Sequence, residues 1–210
     1  MAGIVAGTEA GVASGATLYA LRVTDCEGRG RPEAVIAAMN WLSKHARRPA
    51  VAVLSVQYRG VEAVGHAAAR LVEQGVVTVA AAGGSLENAC EHMPSGTPGV
   101  ITVAGTTPED HALAHSNWGP CVDVWAPGSN IHSLPAKGDK LIPKSGSSAA
   151  AAYVAGAAAI YLAKHPQAEP AAVRAAIQKA ATPARVSMQR SKFAQATRRD
   201  LLLIPPSWYE

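Results

Sequence analysis

Gly146-Ser147-Ser148-Ala149-Ala150-Ala151-Ala152-Tyr153-Val154-Ala155-Gly156 is a run of small residues in which a glycine and two serines open a long alanine-rich stretch. Alanine loses no side-chain entropy in a helix, so the stretch predicts a helix, with Ser148 as its small polar N-cap. No charged residue occurs between Lys144 and Lys164, a length that could cross a bilayer. The content, mostly Ala, Gly and Ser, reads instead as a buried core helix.

Working outward, the 210-residue chain is 49% hydrophobic and 16% charged, which suits one domain with one sizeable core and excludes a disordered chain. Stretches rich in Val and Ala, such as Gly75 to Gly83 and Ile101 to Val103, alternate with segments of helical length. The latter run from Glu33 to Lys44, Glu62 to Gln74, Ala150 to Ala163 and Pro170 to Ala181. That alternation predicts a mainly parallel sheet covered by helices on both faces, a three-layer α/β/α architecture. There is no internal repeat or heptad run. Residues 1–181 read as the domain. Residues 182–210, which collect Arg185, Arg190, Lys192, Arg198 and Arg199, read as a basic extension packing loosely on it.

The formal charge of +4 does not imply a polyanion partner, because the basic residues outside that extension are scattered and no nucleic-acid motif accompanies them. No cofactor is expected. Asp25, Asp110, Asp123 and Asp139 stand singly, so no metal site, and in particular no tight calcium site, is expected; Asp123 reads as a fold-supporting loop carboxylate. The segment Met1 to Val12 lacks a basic leading region and contains Glu9, unlike a secretory signal. The seven histidines read as surface or loop residues.

The alanine-rich stretch resembles the reactive-serine segment of the subtilisin-like serine proteases, whose pattern is G-T-S-M-A-x-P-H-V-A-G, and Ser148 falls on the serine. Further stretches resemble the same family in the same order. Gly15 to Val23 and Asp25 to Gly30 look like a strand and turn before a helix, and Gly75 to Gly83 like the strand leading to the oxyanion-hole asparagine. Ser116-Asn117-Trp118-Gly119-Pro120-Cys121-Val122-Asp123-Val124-Trp125-Ala126-Pro127-Gly128 is the most specific block. Together they place the chain in the branch that includes proteinase K and aqualysin. The resemblance implies a subtilisin-like fold lacking its N-terminal part.

It also implies damaged chemistry. Met1-Ala2-Gly3-Ile4-Val5-Ala6-Gly7 matches the pattern just after the family's catalytic histidine, so that histidine and the aspartate upstream of it are expected to be missing. A serine hydroxyl needs an imidazole to take its proton and a carboxylate to orient that imidazole. Where the family reads A-A-G-N, this chain reads Ala81-Ala82-Gly83-Gly84, and Gly84 offers no side-chain donor. Losing such a donor costs about 100- to 1000-fold in rate, a magnitude itself established on a subtilisin. On the residues alone Gly84 reads as a turn glycine. The family's S-L-G-G appears as Ser55-Val56-Gln57-Tyr58, and bulky Gln57 and Tyr58 are expected to crowd the strand where substrate pairs. Ser55, Gln57, Ala81, Ala82, Gly83 and Gly146 would then wall a vestigial substrate groove around a vestigial nucleophile, Ser148.

The resemblance further implies a disulfide between Cys90 and Cys121, with Cys26 left without its usual partner. The alternative is three reduced thiols in a cytosolic protein. An odd cysteine is what shortening of a secreted ancestor would leave, although the compartment itself stays open. The functional expectation is a pseudoprotease acting as a binding or structural module in an assembly, with a protein partner or second copy covering apolar surface around Ile4, Val5 and Val12 and an unpaired sheet edge. The alternative is an active secreted serine endopeptidase whose Asp and His lie upstream of a misassigned start.

Overall fold

A computed structural model of the chain describes residues 1–135, 138, 140–188 and 197–209. Its elements in order are α1 (Ala2–Ala6), α2 (Pro32–His45), β1 (Val51–Leu54), β2 (Tyr58–Arg59), α3 (Glu62–Glu73), β3 (Val77–Ala81) and β4 (His92–Met93). Then follow β5 (Ile101–Thr106), β6 (Val124–Pro127), β7 (Ile131–Ser133), β8 (Ile142–Lys144), α4 (Ser147–Lys164) and α5 (Pro170–Ala180). Both α2 and α5 begin with proline, whose fixed φ suits the first helical position and whose missing N–H would have no partner there.

The central sheet has the order β1-β3-β5-β6, with all neighbours parallel and in the register Val51↔Val77, Val79↔Ile101 and Val103↔Val124. Parallel strands covered on both faces need apolar residues throughout, and β3 and β5 are buried at every position. The pleat sends alternate residues to opposite faces: Val77, Val79 and Ala81 pack with α1, α4 and α5, whereas Ala52 and Ala80 pack with α2 and α3. The three layers expected from the sequence are these two helix layers and the sheet between them.

Helix α4 runs 18 residues through the larger core, buried at eleven positions. Its alanines and Gly156 let other backbone approach closely. A Cβ on Gly156 would lie 2.6 Å from Val12 Cβ, so the helix surface is notched for the N-terminal segment. Ile4 and Val5 are buried against α4, at 2% and 7% exposure. The expected uncovered apolar surface is therefore not at Ile4 and Val5, which lie in the core shared with α4, while Val12 fills the notch at Gly156. Among the described residues no helix is long and apolar enough to cross a membrane.

Two further expectations need correction. Residues 16–23 form no strand: the segment is largely exposed, and no described strand runs beside it, so its backbone has no ladder to join. The segment 182–210 is not a loose extension where it is described. Trp125 N donates to Asp200 O at 2.9 Å and Leu202 N to Trp125 O at 2.8 Å, which lays residues 200–202 beside β6. Val186, Leu201 and Leu202 are fully buried, so this part of the chain shares the same core. Residues 189–196, with Arg190 and Lys192, lie outside the described residues, as does Asp139.

Candidate functional site

Three segments converge beyond the carboxyl ends of the parallel strands, where open α/β sheets bind ligands. Ser55–Gln57 follow β1, Gly83–Gly84 follow β3, and Gly146–Ser148 open α4. Together they wall a cleft of about 250 Å³ lined by Ser55, Val56, Gln57, Ala81, Gly83, Gly84, Gly146, Ser147 and Ser148. Seven of the eight residues expected in a groove are thus brought together. Ala82 lies beneath, buried, with its carbonyl turned to Gln57.

Gly146 sits at φ +132°, a conformation that side-chain-bearing residues rarely adopt, and its carbonyl accepts from Ala149 N at 3.0 Å to start α4. The helix begins at Ser147, so Ser148 is its second residue and not its N-cap, and no side chain caps this end. Ser147, a residue the sequence reading did not single out, does the bracing instead. Its buried Oγ accepts from Gly83 N and donates to Gly83 O, both at 3.2 Å, locking the start of α4 to the β3 loop. The only sequence signal for it was its place beside Ser148. Ser148 is half-buried, and its Oγ has no hydrogen-bond partner among the described residues.

Gln57 lies across the cleft. Its Nε2 donates to Ala82 O at 3.3 Å, and a Cβ on Gly83 would overlap the carboxamide, so the side chain packs directly on that glycine. Tyr58 does not crowd the cleft as expected. It starts β2, opposite Met93 of β4, its ring packs in the α2/α3 core, and its hydroxyl donates to Gly30 O at 3.2 Å. Burial raises its pKa above the ordinary tyrosine value, with Glu33 adding to the shift.

Gly84 is exposed, its φ is not in the left-handed region, and a Cβ there would meet nothing closer than His115 O at 4.0 Å. The backbone therefore does not require glycine, which corrects its reading as a turn glycine. A side chain would fit. The loop after it is pinned by Asn117, whose Oδ1 accepts from Ser85 N at 2.9 Å and Glu87 N at 3.0 Å. The disulfide joins Cys90 to Cys121 with their Cα atoms 5.4 Å apart, and Cys26 is free and exposed. His92 is buried at 4%, against the surface reading given to the histidines, because β4 packs inward. Its Nε2 lies 2.7 Å from Glu87 Oε2, without hydrogen-bond alignment.

No described residue lining the cleft is titratable. Asp123, by contrast, is a buried structural carboxylate. One of its oxygens accepts from Thr102 N at 2.9 Å, the other from Arg174 Nε and Gln178 Nε2, each at 2.9 Å, tying α5 to the sheet.

The fold is shared with known proteins. A model of the subtilase family matches residues 1–197. The chain belongs to the subtilase family. It is 38% identical over 184 residues to the extracellular serine proteinase of Thermus sp. (strain Rt41A), a match covering 87% of this chain and 45% of that protein. It is also 38% identical over 191 residues to the alkaline serine exoprotease A of Vibrio alginolyticus, covering 90% of this chain and 35% of that protein. The crystal structure of a cold-adapted subtilisin-like serine proteinase superposes with a TM-score of 0.91 at 33% identity, over 97% of this subtilase chain and 72% of that one. The three-layer arrangement is therefore a subtilisin-like fold. The chain spans less than half the length of the curated relatives it matches.

Proposed function

We propose that this subtilase chain is a non-hydrolysing member of its family, a binding or structural module whose cleft survives without its chemistry. The observation that carries the reading is Gly84. The position opens on the same cleft as Ser148, has room for a side chain, and carries none, so no side-chain donor meets charge developing beside Ser148. Ser148 then acts as part of the helix start, with Ser55, Gln57, Ala81, Ala82, Gly83 and Gly146 as walls of a groove.

A fluorophosphonate probe tests this on the purified chain. No labelling of Ser148 and no cleavage of a denatured protein substrate are expected. Rapid stoichiometric labelling at Ser148 overturns the proposal in favour of an active serine endopeptidase.

The reading extends to association. The outer edge of β1 pairs with no described strand, and Leu18, Tyr19 and Trp41, all in the chain's first third, are exposed, Tyr19 at 80%. Open edges and exposed apolar residues mark interaction surfaces, so a partner or second copy is proposed to cover this side. Sedimentation at micromolar concentration is expected to show association; a stable monomer that binds no apolar dye counts against it.

A further inference from the structure

Basic residues that are scattered along the sequence gather at the end of the fold opposite the cleft. Helix α2 leads into β1 and α3 into β3, so both helices finish at the amino ends of the parallel strands. Lys44, Arg47, Arg48 and Arg70 are exposed there, with Glu73 and Glu169 as the exposed acids. Lys44 and Arg47 have no carboxylate partner among the described residues, and Arg70 bonds the neutral Asn40 at 2.7 Å. Arg48 reaches Glu169 only at 3.8 Å. Elsewhere Arg29, Arg59 and Arg185 hold carboxylates at 2.8, 2.7 and 2.6 Å. A cation in the last turn of a helix complements its dipole, but that effect is confined to the turn, and Arg47 and Arg48 lie beyond α2.

A cavity of about 190 Å³ opens beside these cations, between the last turn of α3, Gly99 ahead of β5, and α5. Val72, Gly99, Ala171 and Ala175 make it largely apolar, and Arg174 and Gln178 supply its polar atoms. Arg174 gives Nε and Nη2 to buried Asp123 and keeps Nη1 without a partner among the described residues. The Arg48 guanidinium lies over Gly75, whose N–H donates to Val72 O at 2.8 Å, and its pairing with Glu169 sets it beside the start of α5. Arg48 therefore stands at the rim. An apolar hollow rimmed by cations that lack carboxylates is complementary to an acidic chain carrying an apolar side chain, since guanidinium groups grip carboxylates with paired N–H donors. A single-stranded nucleic acid would need aromatic faces for its bases, and no described residue lining the cavity is aromatic.

We propose that this end of the fold docks an acidic peptide segment of a partner protein, with one aliphatic side chain in the cavity between α3 and α5 and carboxylates on Lys44, Arg47 and Arg48. The inference rests on the reading of the chain as a binding module and names the chemistry of its partner. A fluorescein-labelled Asp-Glu-Leu-Glu-Asp peptide, followed by anisotropy, tests it on the unaltered chain. Saturable binding is expected at low salt, weakened about tenfold at about 0.5 M salt, together with shifts of the Gly75 and Gly99 amides. Glycine in place of the peptide's leucine should cost about tenfold, and lysine in place of its acids should abolish binding. Lys44→Ser combined with Arg47→Ser should cost about fivefold, and Ala175→Leu, which fills the cavity, about tenfold. Absence of saturable binding, or binding indifferent to the peptide's leucine or to its charge, overturns the proposal without recourse to any variant. Tighter binding of heparin or of an oligothymidylate than of the peptide overturns it too, by assigning the surface to another polyanion. Fluorophosphonate labelling of Ser148 would sink the non-hydrolysing reading and leave peptide docking standing, whereas loss of peptide binding alone sinks only the docking, so the two failures are distinguishable.

Discussion

The two edges of the central sheet begin from similar material and end differently. At the β6 edge, Asp200 and Leu202 exchange backbone hydrogen bonds with Trp125, and Leu201 and Leu202 carry apolar side chains into two separate cores. Trp125 Nε1 adds a bond to Arg198 O at 2.7 Å. The outer edge of β1 pairs with nothing described, and residues 16–23, an equally strand-like sequence, join no ladder and leave Leu18 at 48% and Tyr19 at 80% exposure. A strand needs both a ladder and a face to bury, and propensity without either leaves an exposed segment. The contrast predicts that substitutions at the β6 edge cost stability, whereas those at the β1 edge alter association.

The largest effect is expected at Leu202, which is fully buried beside α4. Leu202→Ala removes buried methyl groups and leaves a cavity, so urea unfolding should show a loss of about 4 kcal/mol, within the range for such sites. Leu18→Ala is the paired control and should lie within about 0.5 kcal/mol of the unaltered chain. Equal losses at the two leucines would break the comparison.

The Cys90–Cys121 bridge secures the approach to β6 through a loop spanning a sequence separation of 31. Restricting the unfolded chain over such a loop contributes on the order of 3 kcal/mol by the chain-entropy argument. The double change Cys90→Ser with Cys121→Ser should lower stability by about that amount, and reductant should then have little further effect. Since Cys26 is free and exposed, non-reducing peptide mapping should find it alkylated without unfolding.

A smaller, pH-dependent effect is expected where the chain after β6's neighbour crosses α4. Ile204 N donates to Tyr153 Oη at 3.0 Å. Burial raises the Tyr153 hydroxyl above the ordinary 10.0, outweighing the lowering by the Ile204 bond. The unfolded chain ionises first as pH rises, so the contribution of this group is complete below pH 10.0 and is lost as pH climbs through the folded value. Tyr153→Phe should cost about 1 kcal/mol at neutral pH, by leaving the Ile204 N–H without its acceptor, and should flatten the alkaline decline. An unchanged alkaline slope in the variant would assign the decline to other groups.

The asymmetry between the edges also explains what could be read from the chain alone. Helices were legible within a few residues because alanine-rich periodic segments fix themselves locally: Glu33 to Lys44 became Pro32–His45, and Pro170 to Ala181 became Pro170–Ala180. The cleft was legible because its walls are short motifs at strand ends. Illegible features depended on distant partners. Nothing near Leu201 announces that it lies beside Trp125, nothing near residues 16–23 announces the absence of a neighbour, and the inward packing of His92 follows from the pairing of β4 with β2. Gly84 and Tyr58 were misread in part, since neither the backbone angle of a glycine nor the direction of a tyrosine is written in its immediate neighbours.

The smallest effect on stability is expected where the largest effect on association should appear. Leu18 and Tyr19 expose apolar surface, and replacing both with serine removes little buried area, so monomer stability should change by less than about 0.5 kcal/mol. If this side is where a second copy docks, the double change should shift the sedimentation profile of the chain toward monomer at a concentration where the unaltered chain associates. Leu203 is the matched control: it is 54% exposed, close to Leu18, but follows a segment already paired with β6. Leu203→Ser should leave association unchanged, because an exposed leucine without an open backbone edge offers no ladder to extend. Were Leu203→Ser to disperse the chain as effectively as the Leu18 and Tyr19 changes, apolar exposure alone would drive association and the unpaired β1 edge would have no special part in it.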